Sequence, residues 1–209
     1  MTTSPFRSST TVTPNRRGAR SRETVLDAAE RLIAAQGYEA ATVAALVKEA
    51  GIPASSIYHY FGSKDGVLLA VLERGAGRFF AELDLPTERI GDPLAHLTHA
   101  GESLQAALPR HPEFLRLLLV LAVQPGAMDV AAIQSVVRGV RDTGLEVLRR
   151  QIALAFGLEP AAARVAELAR VALALVDGAF VAHTADAVDL DRMLASFAPA
   201  LVALNDTLP

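Results

Sequence analysis

The chain contains no cysteine. That excludes a disulfide framework and any zinc–thiolate centre, and it fits a reducing compartment. Long apolar runs are also missing. Uninterrupted stretches such as Leu117–Val123 fall far short of the ~20 residues that a membrane-spanning helix needs. The N-terminal residues carry no apolar signal core, so a cytoplasmic protein with no membrane partner is expected. Strand-like alternation of apolar and polar residues does not occur, which leaves an all-α chain. There is no Gly-rich phosphate loop, G-x-S-x-G elbow or zinc-protease motif. Nothing therefore supports catalysis, and no cofactor is expected.

What is present is apolar and unevenly charged. Of the 209 residues, 51% are hydrophobic and 21% charged, enough for one small and one larger domain with a real core. The net charge of −3 argues against a protein that coats nucleic acid without specificity. Residues 1–74 nevertheless hold nine Lys/Arg against seven Asp/Glu, whereas residues 75–209 hold eleven against sixteen. A mildly basic N-terminal part and an acidic remainder suit a DNA reader joined to a body that does not touch DNA. Residues 1–20, rich in Ser, Thr, Pro and Arg, are expected to be a disordered basic arm. Arg7, Arg16, Arg17, Arg20 and Arg22 all precede the first acid, Glu23. Such an arm either lies along a DNA minor groove or is a solvated tail.

The densest information lies between Thr42 and Lys64. Thr42 stands before an apolar run at helical spacing (Val43, Leu46, Val47, Ala50), where its hydroxyl can cap a helix. Gly51 follows, at the place where a helix end takes up a left-handed backbone. Pro53 sits where a helix can begin. Ala54–Phe61 then makes about two turns, with Ile57 and Phe61 on one inward face. Ser55, Ser56, His59 and Tyr60 lie largely around the other side, with the donors and acceptors that reach phosphates and base edges. Ser63 can cap the next helix, and Lys64 adds a positive charge beside its N–H groups. Two short helices joined by a tight turn are a helix-turn-helix, whose second helix enters the major groove.

Arg22 to about Arg74 resembles the DNA-binding domain of TetR-family transcriptional regulators. The resemblance rests on an opening helix, Glu23–Gln36, ended by Gly37-Tyr38. It continues through Thr42-Val43, Ala50-Gly51-Ile52, Ile57-Tyr58-His59-Tyr60-Phe61 and Ser63-Lys64-Asp65, at gap-free spacing. Two positions depart from the pattern: Pro53 stands where the family often has Ser, and Ser55 where Gly is frequent. The resemblance implies that Thr42, Tyr58, Tyr60 and Lys64 touch phosphates and that Ser55, Ser56 and His59 face base edges, with Val43 and Ala54 beside them. It implies three parts: the arm, a helix-turn-helix domain over 21–66 with a connecting helix from 64, and an effector-binding and dimerisation domain over 67–209.

The opening helix is expected over about 22–36, with Val25, Ala29, Leu32 and Ile33 on one stripe, and the connector over about 64–83. Proline and glycine punctuation divides the body into helices near 92–108, 112–124, 127–156, 160–184 and 189–206. The second of these is apolar on nearly every face and is expected at the centre. The resemblance further implies an apolar effector cavity between body helices and a two-fold dimer through about 160–206. The cavity candidates are Leu104, Leu108, Phe114, Leu118, Leu121, Gln124, Val137, Arg141, Phe180 and His183. His96, His99 and Glu102 are spaced three apart, but two histidines without a full ligand set do not make a metal site, and none is expected. The function that follows is a ligand-responsive, homodimeric DNA-binding regulator, most commonly a repressor, released from a pseudo-palindromic operator by a small, largely apolar effector. Two other classes remain open: an enzyme on the helical body, and a non-sensing interaction protein.

Overall fold

The computed structural model describes residues 16–123 and 130–207. Gln124 of the expected cavity, and residues 1–15 of the expected arm, lie outside them. The described residues form helices and two 3₁₀ turns, and among them no strand occurs. None of the described helices is long and apolar enough to cross a membrane. The chain divides into two compact units, residues 1–67 and 68–209.

The first unit contains α1 (Arg16–Gln36), α2 (Val43–Ala50), α3 (Ala54–Phe61) and the first turn of α4 (Lys64–Ala81). The first helix begins at Arg16, earlier than the expected Arg22, so Arg16, Arg17 and Arg20 belong to a helix rather than to a disordered arm. Arg and Ala are good helix formers and no Pro intervenes after Pro14, so the sequence places no stop there. Val25, Leu26, Ala28 and Ala29 of α1 are buried together with Leu46 of α2 and Ile57 of α3, and α1, α2 and α3 pack on one another. Burial of each such Leu or Ile contributes about 1.5–3 kcal/mol. An exposed ion pair, Arg31 Nε to Glu49 Oε1 at 2.9 Å, crosses from α1 to α2 and adds at most about 1 kcal/mol.

The second unit continues α4 and adds α5 (Pro93–Ala107), α6 (Pro112–Val123), α7 (Val130–Phe156), α8 (Ala163–Asp186), α9 (Leu190–Leu194) and α10 (Phe197–Thr207). Helices α5 and α10 pack on each other, α7 packs on α5, α6 and α8, and α8 also meets α9 and α10. Leu97, Leu108, Ile152, Leu168 and Leu201 are among the fully buried side chains at the centre. Asp92 caps α5 by accepting from Ala95 N–H, with Pro93 in the first turn, where its missing N–H costs nothing.

Two expectations for the body are corrected. The single helix expected over 189–206 is two, α9 and α10, separated at Ala195 and Ser196. Pro199 cannot extend a helix from behind but is tolerated in a first turn, so a new helix starts at Phe197. The expected all-round burial of α6 holds on one side. Phe114, Leu115, Leu117 and Leu118 are buried, whereas Val120 and Val123 are 45% and 75% exposed.

Two glycines of α4 make a matched test. A Cβ on Gly66 would lie 1.8 Å from the backbone oxygen of Phe61, whereas one on Gly77 meets nothing within 4 Å. Gly66→Ala is therefore expected to destabilise the fold by at least about 1–3 kcal/mol, because no flexible atom can yield. Gly77→Ala should be neutral or stabilising by up to about 1 kcal/mol. Urea denaturation of the two variants measures the contrast.

Candidate functional site

The turn between α2 and α3 is built by backbone rules. Thr42 Oγ1 accepts from Ala45 N–H at 3.1 Å and starts α2. Gly51 ends it at φ 66°, in the left-handed region, with its N–H on Val47 O. Pro53 follows as the residue before α3, at ψ 145° and without a side-chain cap. Its carbonyl accepts from Ser56 and Ile57 N–H instead. The back of α3 is held by Ile57, 1% exposed. Its front is open: Ser55, Tyr58 and His59 are exposed and Ser56 is half-buried. Ser55 and His59, four apart, share a helical face. Tyr60 is half-buried, its ring edge-on to His59 and to Phe61. Val43 and Ala54 are half-buried at the two helix starts.

Thr42 is exposed. Its oxygen is used as the cap acceptor, which leaves the hydroxyl proton to donate elsewhere. Ser63 caps α4, its Oγ accepting from Gly66 N–H at 3.0 Å. Lys64, in the first turn of α4, sits with Nζ 4.0 Å from the centre of the Tyr38 ring. The Tyr38 hydroxyl donates to Asp65 Oδ1. One aromatic ring in the turn after α1 thus orients a cation and an anion at the start of α4, worth roughly 0.5–1 kcal/mol for the cation–π part. Arg22 stacks its guanidinium 5.3 Å from the Phe61 ring centre, beside the end of α3. Neither role of Tyr38 and Arg22 is readable from sequence, because their partners are distant along the chain.

The second unit holds a partly open, largely apolar cavity of about 80 Å³. Leu104, Leu108, Phe114, Leu118 and Arg141 of the expected set line it. Val137 is buried elsewhere, Leu121 is half-buried outside the lining, and Phe180 and His183 line a separate groove near Pro109 and Leu190. His183 is exposed and its Nδ1 lies 2.9 Å from Val188 O just past α8. Sequence reasoning missed Phe79 and Phe80 of α4, Gln151 of α7 and Asp177 of α8 as cavity residues. Arg141 Nη2 donates to Asp177 Oδ2 at 2.8 Å, a pairing of α7 with α8 that no local spacing announces. Gly75 has no room for a Cβ, which would stand 2.6 Å from the Phe114 ring.

His96 is neither solvated nor lining the cavity; it is fully buried. Its Nδ1 accepts from Ile90 N–H at 3.2 Å, so the proton sits on Nε2, which donates to Gln151 Oε1 at 3.1 Å. Gln151 Nε2 in turn donates to Pro86 O at 3.2 Å. The segment from Pro86 to Ile90 is thereby tied to α5 and α7 through a neutral imidazole. With both nitrogens engaged, His96 is closed to the metal pairing that its spacing with His99 and Glu102 permits. Among the described residues no group of metal-holding side chains occurs.

A two-turn helix with a buried back and a polar front, set on a left-handed glycine turn, has the geometry of a helix-turn-helix. Residues 25–71 match the profile of bacterial regulatory proteins of the tetR family. Over that stretch the chain resembles the DNA-binding domain of tetR-family regulators. It is 32% identical over 79 residues to the HTH-type transcriptional regulator HbdR of Aromatoleum sp. (strain CIB), covering 38% of this chain and 34% of that protein. It is also 32% identical over 95 residues to the HTH-type transcriptional repressor KstR of Mycolicibacterium smegmatis, covering 44% and 45%. The chain thus spans less than half the length of these curated relatives. Its fold is shared more widely. A transcriptional regulator from Rhodococcus sp. Rha1 superposes with a TM-score of 0.70 at 23% identity over 90% of this chain and all of that one. A TetR transcription regulator from Haloarcula marismortui does so at 0.69 and 20% identity, over 91% and 98%.

The buried relay has a pH signature. Burial holds the His96 pKa below its ordinary 6.5, partly opposed by the bond to Gln151 and reinforced by His99 and Arg89. Below pH 6.5 the unfolded chain takes up a proton that the folded chain resists. The contribution of His96 is therefore full above pH 6.5 and is lost as pH falls towards the depressed folded value. The urea midpoint of the chain should drop between pH 7.5 and pH 5.5. In His96→Gln the drop should be smaller, on a lower starting stability.

Proposed function

We propose that the chain is a homodimeric, ligand-responsive transcriptional repressor of the cytoplasm, released from a pseudo-palindromic operator when a small, largely apolar effector fills its body. One observation carries the DNA-binding half: α3 buries Ile57 and exposes Ser55, Tyr58 and His59. In this reading α3 enters the major groove. Ser55, Ser56 and His59 meet base edges, while Thr42, Tyr58, Tyr60 and Lys64 meet phosphates. Val43 and Ala54 bring the backbone of α2 and α3 close. The unit over residues 21–66 reads DNA, and the remainder senses and dimerises. The description of KstR as a repressor supports the sign of regulation.

The sensing half is supported by α4, which runs unbroken from Lys64 to Ala81 and carries Phe79 and Phe80 into the cavity wall. A ligand that displaces those rings bears on the helix that begins at Lys64. The two readers of a dimer then lose the spacing of about one helical turn that the half-sites demand, to the extent that the effector favours one form over the other. Dimerisation through about 160–206 is supported by the open face of α8. Leu175 and Val181 are 39% and 50% exposed on it, and Gly178 lies between them with nothing close.

The tests are direct. Selection from random duplexes should recover a pseudo-palindrome, and a chain that retains no duplex overturns the reading. On the selected site, Lys64→Ala should flatten the salt dependence by about 0.9 in log–log slope for each phosphate it no longer neutralises, with little change in sequence preference. His59→Ala should cost about 1–3 kcal/mol and relax preference at one base pair of each half-site, as measured by fluorescence anisotropy. Val181→Glu should yield a monomer by light scattering and abolish tight operator binding.

A further inference from the structure

The cavity wall carries few polar groups, and their arrangement limits what can fill it. Phe79, Phe114, Leu118 and Leu148 are apolar wall. Gln151 also lines the cavity, but its amide is engaged at both ends, with His96 and with Pro86. Arg141 and Asp177 remain. They bond through Nη2 and Oδ2, which leaves Nη1, Nε and Oδ1 for a further partner. Their side chains are 30% and 27% exposed, so the pair is neither sealed off nor freely hydrated.

The charge of this pair sums to zero. A carboxylate that approaches Arg141 meets the Asp177 carboxylate beside it, and an ammonium that approaches Asp177 meets the guanidinium. Either ion gives up hydration in an apolar cavity and gains an attraction that a like charge at hydrogen-bond distance offsets. A hydroxyl faces neither difficulty. Its oxygen accepts from Arg141 while its proton goes to Asp177, so both charges keep their partner and gain a second one. Building on the effector-sensing reading above, we infer that the ligand of this cavity is an uncharged, largely apolar alcohol, or a compound with an equivalent neutral donor–acceptor group, seated with its polar end on Arg141 and Asp177. Fatty-acid anions and alkylammonium cations of the same chain length are selected against.

Titration calorimetry of the full chain at pH 7 with octan-1-ol, sodium octanoate and octylammonium chloride tests this. Octan-1-ol should bind at least about tenfold tighter than either ion. Octanoate should gain on octan-1-ol in Asp177→Asn, and octylammonium should gain in Arg141→Gln. The ranking in the unsubstituted chain is decisive even if a variant misfolds. Octanoate or octylammonium binding as tightly as octan-1-ol overturns the inference, and so does the absence of octan-1-ol binding up to its solubility. Anisotropy with the selected operator separates this from the sensing reading. Octan-1-ol that binds with the expected ranking yet leaves DNA affinity unchanged defeats the sensing reading alone. Octanoate that binds best and releases DNA defeats the ligand class alone.

Discussion

An eight-residue helix has no independent stability in water, because nucleation costs more than so few backbone bonds return. Helix α3 exists because Ile57 is clamped at 1% exposure where α3 packs on α1 and α2. Every other property of the proposed DNA-binding surface follows from that clamp. The helix has no side-chain cap to define its start. Its register comes from the left-handed Gly51 and from the Pro53 carbonyl, which gathers the first amides. The polar front is then fixed by default: with Ile57 inside, Ser55 and His59 have nowhere to go but out.

The same logic, with the sign changed, governs the larger unit. Its core is dense at Leu97, Leu168 and Leu201, yet the aromatic and aliphatic side chains around Phe79, Phe114 and Leu148 leave space between them. Unfilled apolar space forfeits dispersion attraction and so costs stability. The unit offsets part of this with directional bonds at the rim. Arg141 joins α7 to α8, and the His96–Gln151 relay holds the segment before α5. The first lies in the cavity wall, and the second reaches that wall only through Gln151. Away from the cavity, Glu82 just past α4 faces the Arg110 guanidinium and the His111 ring, and its carboxyl pKa is lowered chiefly by His111.

How much of this is legible in advance follows the range of the interaction. The Thr42 cap, the Gly51 turn and the Ser63 cap each act within three or four residues, so residue type and spacing alone locate them. The ends of α2 and α3 are legible to within a residue for that reason. The start of α1 is not, because Arg16–Arg20 carries no proline to mark a boundary, Gly18 weakens the helical signal, and composition suggests disorder. The break between α9 and α10 escapes a periodicity reading although Pro199 marks it, since apolar spacing continues on both sides. Burial of His96 is invisible, because its partners are at Ile90, Gln151 and, through the amide, Pro86. The bond of Arg141 with Asp177 spans 36 residues, and no pattern within one helix encodes it. Of the cavity candidates chosen from helix faces, Leu104, Leu108, Phe114, Leu118 and Arg141 line the observed space; the wall supplied by α4 reads from sequence as ordinary core.

Gly75 gives this arrangement a further meaning. It lies in α4, and the Phe114 ring already occupies the place its side chain would take. That ring is also part of the cavity wall. Any substitution that enlarged position 75 would drive the ring inward or push the helix outward. The volume of the cavity and the line of the helix along its wall are thus a single mechanical variable, which no enlargement at position 75 can change on one side alone.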